Sequence, residues 1–175
     1  MNPTDDRRLV TGLFPDRASA EAAYKSASDR GYSSSDVDVV MSDDTRTRHF
    51  TDVGAETELG TKAAEGAGIG GAIGGTIGAV AAAVAAVGTS VAIPGLGLVI
   101  AGPLAAALAG AGAGAASGGL VGALIGWSIP EERVKHYEAG LKNGGILMGV
   151  RTKSDEDADH FERHWTSNNG QHVYR

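Results

Sequence analysis

The chain has no cysteine, which excludes disulfides and thiolate chemistry and leaves no mark of redox compartment. It has no basic surplus either. A formal net charge of −6 lacks the electrostatic footprint of a nucleic-acid binder, and no basic run with interleaved aromatics occurs. The opening "MNPTDDRRLV" lacks the apolar stretch of a secretory signal, so the expected setting of the polar parts is the cytoplasm. The largest absence is local: no Lys, Arg, Asp or Glu lies between Glu65 and Glu131. All 15 Lys and Arg and all 21 Asp and Glu lie outside residues 66–127, which hold 18 of the 27 glycines.

The flanks carry ordinary signals of secondary structure. "RRLVTGLF" reads as a strand with Gly12 inside it. Asp16 suits the N-cap of a helix over "RASAEAAYKSASDR", whose Ala20, Ala23, Tyr24 and Ala27 form one stripe, and Gly31 stops it. Val37, Val39 and Met41 alternate with Asp36, Asp38 and Val40, which predicts a half-buried strand. The C-terminal part repeats the grammar. "GILMGV" is a strand containing Gly149. Ser154 caps a helix opened by Asp155, Glu156 and Asp157, with Ala158, Phe161 and Trp165 on its apolar face. "QHVYR" is a last strand. An extra helix over "PEERVKHYEAGLKNGG" precedes this half, with Val134, Tyr137 and Leu141 on one side. Two βαβ units split by an insertion predict an α+β, ferredoxin-like domain whose central strands carry Gly12 and Gly149. The expected division is 1–60, a first βαβ half with a polar linker; 61–128, an apolar insertion; and 129–175, the extra helix and second half.

The insertion is patterned. Gly66, Gly70, Gly74 and Gly78 fall four apart, as do Gly110, Gly114, Gly118, Gly122 and Gly126. Such spacing draws a side-chain-free groove along a helix, into which a second helix can press. Ile69, Ile73, Ile77, Val80, Val84, Val87 and Val91 supply bulk at spacings of three and four. Each glycine costs a helix about 1 kcal/mol relative to alanine, so a helical hairpin here requires close packing or lipid. The nine glycines are therefore the candidate packing and self-association residues. The connection "TSVAIPGLGLVIAGP" is apolar for a turn and is expected to be buried in lipid or in another copy of the chain. If the halves form one domain, the insertion leaves and returns on one side. A second helix over 103–127 would be about 37 Å long, enough to cross a bilayer core. Alanine and glycine content, an excess of flanking acids over Lys62, Arg133 and Lys135, and a single interfacial aromatic, Trp127, weigh against crossing. The expected place of the hairpin is nonetheless at or in the membrane, and a soluble homo-oligomer with a buried helical core is the alternative.

The stretches "VTGLFPDRASAEAAY", "RGYSSSDVDVVMSDDTR", "ELGTKAAEGAGIGGAIGG", "PGLGLVIAGPLAAALAGAGAGAASGGLVGALIG" and "IPEERVKHYEAGLKNGGILMGVR" resemble the bacterial general-stress (heat-induced stress) protein family over nearly the whole chain. The resemblance implies a cytoplasmic or membrane-facing stress protein and carries no catalytic motif.

Other signals point to no chemistry. Gly66, Gly68 and Gly71 match G-x-G-x-x-G without the preceding strand or the following acid of a dinucleotide site. Gly60, Thr61 and Lys62 lack P-loop spacing to Gly54. The insertion has no carboxylate for proton transport. His160 and His164, with Asp157, have metal-compatible spacing on one helix, but "HFERH" lacks the zincin glutamate and a solvated face is the simpler account. Asp43 and Asp44 are expected in a loop. The resulting expectation is a non-enzymatic protein without cofactor or metal that binds itself, with membrane lipid a further partner and no nucleic acid. A ligand-sensing module anchored by the hairpin is the alternative.

Overall fold

The computed structural model describes residues 8–50, 90–93, 97–105, 124 and 129–175. Within them, β1 (Leu9–Phe14) leads to α1 (Arg17–Asp29), β2 (Val37–Ser42) and α2 (Asp43–Phe50). A hairpin of β3 (Ser90–Ile93) and β4 (Leu98–Ala101) follows. The chain closes with α3 (Glu131–Lys142), β5 (Ile146–Arg151), α4 (Asp155–Ser167) and β6 (Gln171–Tyr174).

The six strands make one sheet in the order β3-β4-β2-β5-β1-β6, and every pairing is antiparallel. Thr11 lies opposite Gly149 and Gly12 opposite Met148. The strands that carry the two glycines are thus central neighbours, as their repeated βαβ grammar predicts. The protein is mixed α and β, with helices on both faces of an antiparallel sheet.

Helix capping sets the flanking elements. Asp16 Oδ1 accepts from the Ser19 N–H at 2.8 Å and opens α1. Ser154 Oγ accepts from the Asp157 N–H at 3.1 Å and opens α4. These two helices lie on one face, where Ala20, Ala23, Tyr24, Phe161 and Trp165 meet Val10, Phe14, Val39, Met41, Ile146 and Met148. On the other face Val134, Tyr137 and Leu141 of α3 join a second core with Leu13, Val40, Ile100 and Leu147. Gly12 faces the first core: a Cβ there would stand 3.1 Å from Trp165 Cε3 and 3.3 Å from Val173 Cγ2. The strand glycine lets the tryptophan ring come down onto the backbone.

Three expectations change. β2 is buried on both faces rather than half-buried, because residues from the insertion cover the side that carries Asp38 and Val40. Asp43 and Asp44 are not in a loop but open α2, where Ser42 Oγ accepts from the Thr45 N–H at 3.0 Å. Acids in a first helical turn face the positive end of its dipole. The apolar connection is a β-hairpin rather than a turn awaiting lipid or a second copy: Ser90 pairs with Ala101 and Ile93 with Leu98, and β4 pairs with β2 from Val39–Ala101 to Ser42–Leu98. Its Leu98, Val99, Ile100 and Ala101 are buried in this chain's own sheet. Gly66, Gly70, Gly74, Gly78, Gly110, Gly114, Gly118, Gly122 and Gly126 lie outside the described residues. Residues 103–105 and Leu124, within the predicted second helix, are helical.

Candidate functional site: the seat of the glycine-rich segment

The insertion touches the platform on the α3 face of the sheet. After β4 the chain turns at Gly102, whose φ is +104°. A side chain here would be strained by that angle and would also strike the Val37 carbonyl oxygen, with Asp38 Oδ1 2.8 Å away. The turn therefore presses backbone against backbone. Helix begins at Pro103, and the Leu104 N–H donates to Asp38 Oδ1 at 2.6 Å. No Ser, Thr, Asn or Asp precedes Pro103 in "LVIAGP" to cap this helix locally, so β2 supplies the acceptor from 66 residues away.

Asp38 is 1% exposed. Burial pushes its carboxyl up to about 6, against the opposing effects of the Leu104 N–H and of Arg151 on β5. Around it the seat is apolar. Leu104, Ala105, Leu124 and Ile129 are buried in one cluster with Val40, Ile100 and Leu147. The Ile129 N–H donates to the Leu124 carbonyl at 3.2 Å, which ties the end of the segment to the approach of α3.

Asp38 carried no sequence signal as a site residue, because its alternation with valines assigned it to a wet face. The missing local cap before Leu104 was the signal that could have pointed to it.

A cleft of about 460 Å³ opens nearby, lined by Ser42, Thr45, Arg48, Gly97, Lys142 and Gly144 among others. Several of its polar groups already have partners. Ser42 and Thr45 hydroxyls are 2.8 Å apart, the Asp43 N–H donates to the Gly97 carbonyl at 2.6 Å, and Lys142 Nζ donates to Glu138 at 2.6 Å. The Asp43–Gly97 bond ties the start of α2 to the β-hairpin turn, and none of these contacts assembles a nucleophile with a base.

The histidine pair is brought together and its carboxylate is not. His160 and His164 stack with ring centroids 5.4 Å apart. His160 is held below the usual imidazole range by partial burial and by Arg30, His164 and Arg163. Asp157 instead accepts from Arg30 Nε at 2.6 Å and from the Tyr32 hydroxyl at 2.7 Å. Desolvation works to raise its carboxyl, but the Tyr32 and Arg30 bonds outweigh it and hold the group low. Asp157 thus ties the end of α1 to the start of α4. Among the described residues no group of three or more His, Asp or Glu side chains is placed to hold a metal, and no helix is long and apolar enough to cross a membrane.

No family model matches the chain, and no curated protein or solved structure matches it.

Proposed function

We propose that this chain is a non-enzymatic bacterial stress-response protein that self-associates through residues 66–127, with the α/β platform holding that segment in place. The strand order β2-β5-β1-β6 of the flanks, with α1 and α4 on one face, supports a ferredoxin-like platform. The sequence resemblance supports the stress setting. The glycine lines at 66–78 and 110–126 supply the associating surface.

The observation that carries the reading is the seat itself. Leu104 and Ala105 near the start of the second glycine run, and Leu124 and Ile129 near its end, are buried in one cluster on one face of the sheet. A single bilayer crossing between them would set its ends about 30 Å apart on opposite sides of the hydrocarbon. Burial of both ends on one platform favours a protein assembly over lipid insertion. Membrane association through 66–127 is the second reading.

The test is the mass of the purified protein with and without detergent. Assembly predicts a detergent-independent multiple of 17.7 kDa. A monomer under both conditions overturns self-association. A chain that is soluble only in detergent favours the membrane reading.

A further inference from the structure

We propose that Asp38 is a proton-controlled latch: with its carboxyl protonated, residues 102–105 stay seated on β2, and ionisation loosens that seat. The geometry places one buried carboxyl where the glycine-rich segment meets the sheet. Asp38 is 1% exposed, and its Oδ1 takes the Leu104 N–H at 2.6 Å. Gly102 packs directly over the same carboxyl: a Cβ there would stand 2.8 Å from Asp38 Oδ1. Lifting 102–105 thus does two things at once. It breaks the cap of the helix that begins at Pro103, and it returns Asp38 to water.

Charge decides which state gains. A carboxylate out of water is costly, and one backbone donor offsets that cost only in part. Among the described residues the charged group acting on Asp38 is Arg151 from β5. β4 and residues 102–105 bring no titratable side chain, and the Asp38 register partner on β5 is Gly149. α3 packs on the same face through Val134, Tyr137 and Leu141, and Tyr137 spends its hydroxyl on Thr11 and the His172 carbonyl. The seated state therefore holds the proton more tightly than the lifted state does. Its carboxyl lies at about 6, against an ordinary value of 3.8. Proton linkage gives the sign: acid favours seating, and neutral pH favours lifting. With those two values the lifted fraction rises about tenfold from pH 5 to pH 7.5. Both states leave β1, β5 and the first core in place, so the latch acts locally and does not depend on whether the protein self-associates.

Hydrogen exchange of the Leu104 amide in the full-length chain reads the latch, after correction for the intrinsic pH dependence of exchange. The expected result has three parts. Leu104 exchanges through a smaller opening than Met148 at the sheet centre. Its opening constant rises about tenfold between pH 5 and pH 7.5. Asp38→Asn, which keeps an acceptor but no charge, removes that rise and keeps Leu104 protected at pH 7.5. The latch is overturned if Leu104 is protected as fully as Met148 throughout, if its opening is flat with pH, or if Asp38→Asn rises as the unaltered chain does. The Asp38 side-chain carbon resonance in the unaltered chain gives an independent reading. A midpoint above 5 supports the latch, and a midpoint at or below the ordinary carboxyl value overturns it.

Discussion

The Tyr137 hydroxyl has one proton and two neighbours. It donates to the His172 carbonyl at 2.8 Å, so the Thr11 hydroxyl, also at 2.8 Å, donates to it. Burial pushes the phenol up to about 12, and it stays protonated at any ordinary pH. Tyr137→Phe would leave Thr11, itself 2% exposed, with a buried donor and no acceptor. The expected loss is about 1–3 kcal/mol in urea unfolding; a loss under 0.5 would show that the bond is not part of the fold's stability. Asp38 predicts the opposite sign. A carboxyl raised in the folded state destabilises above its folded value and ceases to do so below its unfolded one. Asp38→Asn should therefore stabilise the protein at pH 7.5, by on the order of 2–3 kcal/mol, and change little at pH 4. Equal effects at both pH values would remove the charge from the account. Residues of this kind are hard to read from sequence. The helix caps Asp16 and Ser154 act within three residues and were legible. Asp38 acts on a backbone group 66 residues away, which only the folded chain brings to it.

Among the elements, those of the flanks other than α2 were legible because their signals are local. Caps, apolar stripes and glycine stops lie within one helix or its ends. The β3–β4 hairpin was not. "SVAI" and "LVIA" are short apolar runs, which suit a strand or a buried helix equally, and the four-residue glycine spacing on either side argued for helix. What decided the matter is non-local: β2 exposes an edge that β4 completes from Val39 to Ser42. If the hairpin belongs to the same cooperative unit as the flanks, Ile100→Ala should cost about 2–4 kcal/mol, comparable with Leu147→Ala, since both side chains are fully buried in one cluster. A two-step melt in which Ile100→Ala shifts only the earlier step would make the hairpin an appendage.

At the scale of the whole molecule the insertion is both passenger and structure. Replacing residues 66–127 by a polar linker removes β4, Leu104 and Leu124, and uncovers Val40 and Leu147. The flanks alone are then expected to lose cooperative unfolding, although they hold their own first core. A folded monomer from that replacement would separate the seat from the fold. Self-association has its own test. If Gly114 lies where helices touch, Gly114→Leu pushes two backbones apart at about 1–3 kcal/mol per site, repeated in every subunit. If it does not, the leucine favours the helix by somewhat under 1 kcal/mol. Gly114→Leu is expected to reduce the assembly's mass in light scattering, and Ala107→Leu to do so less. Unchanged mass with a higher melting temperature for Gly114→Leu would remove the glycine line as an interface.

The pairing of β1 with β5 also sets a timetable. Leu9 meets Arg151 and Phe14 meets Ile146, so the centre of the sheet joins the two far ends of the chain. A ribosome adding about 5–20 residues each second makes β1, α1 and β2 many seconds before their shared neighbour exists. During that interval the whole uncharged stretch from 66 to 127 has been synthesised, and the face that will seat its ends lacks β5 and Leu147. Folding then waits on one late, long-range closure, the slow kind. Until β5 arrives, Leu104 and Leu124 lack the Leu147 surface against which they are buried in the finished fold.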